Sequence, residues 1–124
     1  VAYETSPLYD YVCGDATKSY SAQKLSFFTR QFVFCKPDLF VVFDRVVSTK
    51  KEYRKRWHLH FHEEPVIEGT VARVDYDGGR LWCETLLPEK ATLRKVQGAQ
   101  VEGTDGTYAL PKAWQNWICR GWRQ

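Results

Sequence analysis

Methionine is absent from the 124 residues, and the four cysteines include no C-x-x-C pair. The first absence leaves the chain without an initiator. It opens on Val1 with neither a charged nor an apolar leader, and it closes on the strand-like "WICRGWRQ". These ends predict a piece of a longer protein, truncated at both. The second absence excludes metal-finger spacing. Cys13, Cys35, Cys83 and Cys119 lie far apart among apolar neighbours. Thiols in such surroundings pack as small hydrophobes, so buried free thiols are expected, with a disulfide pair as the alternative. Long apolar runs are missing too. "LFVVF" is the longest clean one, against the ~20 residues of a membrane-crossing helix, so no membrane partner is expected. No stretch sustains a period of 3.6, and there is no repeat or low-complexity tract. No G-x-S-x-G, phosphate loop or closely spaced carboxylate pair occurs. The net charge of +3 is too small to imply a nucleic-acid partner.

What the chain does have is aromatic residues, at 15%, and strand signals at short spacing. "KLSFFTRQFVFC" and "LFVVFDRVVS" flank "KPD", which predicts a hairpin pairing 24–35 with 39–48 around Pro37. Both strands are apolar on both parities, so cover on both faces is expected. "TKKEYRKR" follows as a basic connection. "VARVDY" and "RLWCETLL" around "DGG" predict a second hairpin, ended by Pro88. "ATLRKVQG" reads as a further strand, "EGTDGTYALPK" as a loop, and "AWQNWICRGWR" as a last, Trp-rich strand. Short strands, turn punctuation and no helix predict an all-β fold, an antiparallel β-sandwich forming a single domain over 1–124.

The stretch "RKRWHLHFHEEP" carries all three histidines at alternate positions. On a strand, Arg54, Arg56, His58, His60 and His62 would share one face, about 27 Å long when extended. Tyr53, Lys55, Trp57, Leu59 and Phe61 would take the other face, core-directed towards its end. Three readings of the basic face stand. Planar Arg and His donors suit carboxylate or sulfate, making it a substrate-binding surface. His58, His60 and His62 are also metal-ligand candidates, although a site normally needs a further ligand, often a carboxylate, and spacing alone identifies none. The remaining reading is the wet side of a strand with no specific ligand. Elsewhere, Asp44 beside Arg45 reads as a structural internal ion pair. Asp10, Asp15 and Tyr20 bracket the turn-rich "YVCGDATKSYS", where Gly14 is expected to supply a special backbone angle.

The order "GDATKSYS", "RQFVFCKPDLFVVFDRV", "WHLHFHEEP", "LLPE" and "GWR" resembles the C-terminal region of the heparinase II/III-like polysaccharide lyases. It spans Gly14 to Arg123, with Lys36 to Val46 the strongest piece. The resemblance implies a β-sandwich packed on a helical toroid, in a periplasmic or secreted enzyme. Such enzymes cleave acidic, uronate-containing polysaccharides such as glycosaminoglycans or alginate by β-elimination. A Tyr or His takes the proton beside a neutralised carboxylate and the glycosidic oxygen leaves. The family's proton-transfer residues lie on the toroid or in a stretch before this region, so no catalytic residue is assigned here. Its usual metal ligands also lack a counterpart in this chain, so the divalent metal that the resemblance implies belongs to the parent enzyme. His60 matches the histidine of the family's W-x-L-H, while His58 and His62 are additions. The expected partners are acidic polysaccharide and the missing N-terminal helical catalytic domain. The chain itself would give structural support and one wall of the substrate cleft. The alternative is a non-catalytic carbohydrate-binding β-sandwich module.

Overall fold

The computed structural model describes residues 1–96, 102–103, 106–107 and 117–121. Their regular structure is all-β and every strand pairing is antiparallel. One 3-10 turn, Thr17–Ser19, is the only helical element among them. Contacts gather the chain into two units, Val1–Tyr53 and Arg54–Gln124.

The first unit is a meander of β1 (Ala2–Thr5), β2 (Tyr9–Asp15), β3 (Leu25–Cys35) and β4 (Leu39–Ser48), paired in that order. Ser6 makes the first turn: its hydroxyl accepts the N–H groups of Leu8 at 3.2 Å and Tyr9 at 3.1 Å. The expected hairpin forms, from Cys35 opposite Leu39 to Leu25 opposite Ser48. Its loop holds a cis Lys36–Pro37 peptide. The ladder slips between Leu25 and Phe27, leaving Ser26 as a bulge whose hydroxyl donates to the Val47 carbonyl at 3.0 Å. Directly opposed Phe34 and Phe40 stack with centroids 4.4 Å apart.

Three expectations need correction in this unit. "YVCGDATKSYS" is not mainly a turn, because its first half lies in β2. Gly14 there sits opposite Arg30 as ordinary strand, and the positive-φ glycines are Gly69 and Gly78 instead. Asp44 does form an ion pair, but with Arg30 across the ladder. Neighbours in sequence point to opposite faces of a strand, so Arg45 turns away and lies over the Phe27 ring at 5.5 Å. Cover on both faces of the hairpin is not found either. Phe40, Val41, Val42 and Phe43 are 53%, 41%, 39% and 47% exposed, on the edge strand of the described sheet.

The second unit begins with β5 (Trp57–Phe61), followed by β6 (Val66–Glu68), β7 (Val71–Tyr76), β8 (Gly79–Glu84) and β9 (Leu93–Val96). Then come the two-residue strands β10 (Glu102–Gly103) and β11 (Gly106–Thr107), which pair with each other, and β12 (Trp117–Gly121). One sheet runs β5-β12-β9 and another β6-β7-β8. The expected loop over 102–112 therefore holds a small ladder, and its residues 108–112 lie outside the described ones, as do Gln97 and Gly98 of "ATLRKVQG". Of the Trp-rich strand, 113–116 and 122–123 lie outside them as well.

The β7–β8 hairpin follows the sequence signal closely. Asp77 and Gly78 have φ of 47° and 75°, the pair of positive angles that a tight two-residue turn requires. Alternation then decides the core. Phe61, Ala72 and Val74 are buried, with Leu59, Ile67 and Cys83 packed against them. Leu59 and Phe61 come from the β5 sheet and the other four from the β6-β7-β8 sheet. Two antiparallel sheets thus meet across a small apolar core, a sandwich within this unit. Cys13, Cys35 and Cys83 are free thiols, half-buried rather than fully buried, and the side chain of Cys119 lies outside the described residues.

Candidate functional site

The basic stretch does not form one continuous strand face. Arg54 and Arg56 are exposed in the connection ahead of β5, which begins only at Trp57. His62 lies one residue past the strand and stacks on Tyr76 of β7, with centroids 4.9 Å apart and ring planes 12° from parallel. The face proper is reduced to His58, half-buried, and His60, exposed. The odd positions behave as alternation predicts, with Leu59 and Phe61 directed into the core.

Strand pairing supplies what the linear sequence hides. On the β12 register, His58 stands opposite Arg120, and Arg120 stands opposite Arg94 of β9. His60 likewise stands opposite Ile118, and Ile118 opposite Val96. One cross-strand row therefore places a histidine and two arginines at paired register positions, spanning about 10 Å over three strands. The adjacent row turns apolar and ends at Val96, which is only 4% exposed. A basic row bordered by an apolar one differs from a uniformly wet strand face. No local signal marked Arg94 and Arg120 as partners of His58, because they come from strands far along the chain.

A metal centre is not assembled from these residues. Among the described residues no three His, Cys, Asp or Glu side chains come together to hold an ion. His62 is diverted onto Tyr76, so His58, His60 and His62 do not close on a common point.

A second cluster lies at the end of the β7–β8 hairpin. Arg73 stands opposite Trp82, and Asp75 opposite Arg80. Arg80 Nε donates to Asp75 Oδ1, and Arg73 Nε lies 3.6 Å from Asp75 Oδ2. The Arg80 guanidinium approaches the Trp82 ring at 5.6 Å from its centroid. Trp82 is 61% exposed and Tyr76 54% exposed, and both border an open depression at the hairpin turn.

The chain matches no family model and no curated protein.

Proposed function

We propose that this chain is the β-sandwich part of a heparinase II/III-like lyase acting on uronate-containing polysaccharide. In this reading it supports the catalytic helical domain and lines one wall of the cleft, in a secreted or periplasmic enzyme. The observation that carries the proposal is the exposed apolar edge of the first unit. Phe40, Val41, Val42 and Phe43 lie at 39–53% exposure within the Lys36–Val46 segment where the motif resemblance is strongest. Phe40 and Val42 lie on one face of β4 and Val41 and Phe43 on the other, and exposed apolar surface on an edge strand is characteristic of an element that another domain covers. The cationic row His58–Arg120–Arg94 suits the second half of the reading, since planar donors recognise carboxylate and sulfate.

β-Elimination needs a base beside the uronate carboxylate and a means of stabilising the developing anion. None of the residues that supply these in the family has a counterpart here. The purified chain should therefore bind heparin, heparan sulfate or alginate without generating the unsaturated-uronate absorbance, at any pH from about 5 to 9. Binding should be tighter at mildly acidic than at neutral pH if the histidines take part, since protonated imidazole attracts anions. It should weaken with salt, which screens exposed charges over roughly 8 Å at physiological strength. Replacing His58 and His60 by Gln should remove the pH-dependent part. Appearance of the chromophore with the chain alone would overturn the reading, as would binding indifferent to pH, salt and both substitutions. Binding that required added zinc and vanished with a chelator would favour a metal site instead.

A further inference from the structure

The Trp82 cluster has a charge balance unlike that of the histidine row. Its two guanidiniums share Asp75, and Asp77 adds a second carboxylate at the turn. Further along the sheet, Glu68 of β6 and Glu84 of β8 both stand opposite Val71. Two cations among four carboxylates leave this face with no positive excess. An anionic ligand would gain little from such a balance of charges.

What the cluster does offer is an aromatic plane beside an ordered set of donors and acceptors. Trp82 keeps 61% of its surface in water although Arg80 approaches its ring. Arg80 donates its Nε to Asp75, Arg73 Nε approaches the same carboxylate at 3.6 Å without a hydrogen bond, and a guanidinium has five N–H groups in a fixed fork. Among the described residues neither Arg73 nor Arg80 hydrogen-bonds any other side chain, so terminal N–H donors remain for a ligand. Asp75 holds both forks in place and keeps lone pairs to accept from hydroxyls. Tyr76, at the opposite border of the depression, is itself fixed by stacking on His62.

We propose that the end of the β7–β8 hairpin is a binding site for an uncharged sugar ring. The ring's C–H face lies on Trp82, and adjacent hydroxyls bond to Arg80 and Asp75. This ligand fits the balance of the site: it is amphipathic, needs an aromatic plane and paired polar groups, and brings no charge. The site is separate in residues and in chemistry from the cationic row on β5, β12 and β9, and it does not depend on the lyase reading.

The probe is a β-1,4-linked glucose tetramer, whose equatorial hydroxyls leave flat C–H faces. It would be titrated into the full chain by calorimetry or by side-chain chemical shifts. Binding is expected to change less than twofold between about 0.05 and 0.5 M salt, because no net charge is neutralised. It is also expected to be unmoved by His58→Gln with His60→Gln. Trp82→Ala should weaken it at least tenfold and Arg80→Gln at least fivefold, whereas Trp82→Tyr, which keeps a stacking plane, should retain most of it. Trp82 and Arg80 are exposed, and a strand circular-dichroism signal confirms that each variant folds. If Trp82→Ala fails that control, the Arg80→Gln and Trp82→Tyr pair decides. No binding by the wild type at about 10 mM, ligand affinity indifferent to Trp82 and Arg80, or loss of binding with salt would each overturn the proposal. These outcomes leave uronate binding on the histidine row to be judged by its own variants.

Discussion

Asp44 is held by one residue, and the two ends of that pair meet solvent differently. Its side chain is 7% exposed, while that of Arg30 is 49% exposed. Arg30 donates twice, from Nε at 2.7 Å and Nη2 at 2.6 Å. A fork of this kind is stronger than a single exposed contact, but water at the arginine screens it. Asp44→Asn should cost about 1–2 kcal/mol, between an exposed pair and a charge-assisted buried bond, measured by urea unfolding. A cost below the error of that measurement would mean the pair is only decorative. Asp10 and Asp15, near the two ends of β2, give a pH signature. The Thr5 hydroxyl and Lys36 hold Asp10 below the ordinary carboxylate range, and Thr17 does the same for Asp15. A lowered folded-state value favours the charged form in the folded sheet. The stabilisation is thus full above the unfolded value of ~3.9 and is lost as pH falls through the lower folded one. Unfolding midpoints should drop on going from pH 5 to pH 3, and the drop should shrink in the Asp10→Asn, Asp15→Asn double variant.

At the scale of elements, β4 is an edge strand of the described sheet with exposed apolar side chains. An apolar edge strand offers unpaired backbone groups beside sticky side chains, which is a template for another chain. The isolated protein should therefore self-associate as concentration rises, followed by light scattering. Val42→Lys should shift it towards monomer, at a stability change of about 0.5 kcal/mol or less. Association unchanged by that lysine would move attention to another surface. The same strand shows where sequence reading works and where it stops. Apolar residues at both parities located β3 and β4, and "DGG" fixed the β7–β8 turn, because those signals are local. Whether anything covers Phe40 to Phe43 is not a local property, and the inference of cover failed for this chain. The site divides in the same way. Alternation placed His58 and His60 together, but it carried Arg54, Arg56 and His62 onto a strand that begins only after Arg56 and ends before His62. Arg94 and Arg120 depend on pairing across the sheet, and Trp82 on an exposure that one strong apolar residue in a strand pattern does not reveal.

Across the whole molecule, apolar burial is uneven. Phe61, Ala72, Val74 and Val96, the buried hydrophobic residues among those described, all belong to the second unit. The first unit relies on hydrogen-bonded ladders and partly covered side chains. Regions with little buried apolar surface open at lower free energy than regions with a buried core, so the two units should not unfold together. All five tryptophans lie beyond residue 54. Far-ultraviolet circular dichroism, which sees both units, should thus lose amplitude at lower urea than tryptophan fluorescence, which sees the second. Coincident curves would mean that the units unfold as one.

The meander order of the first sheet also sets a clock. β3 is bonded on both sides, to β2 and to β4, whereas β4 has a partner on one side only among the described residues. Backbone N–H groups of an antiparallel strand point alternately left and right. Transferred into heavy water, β3 should keep its protons at nearly every position. Along Leu39–Ser48 every second amide should take up deuterium almost at once, and its neighbours should lag with β3. Uniform protection along β4 would show that its outer edge is satisfied in solution, and a comb of fast and slow amides would show that it still faces water.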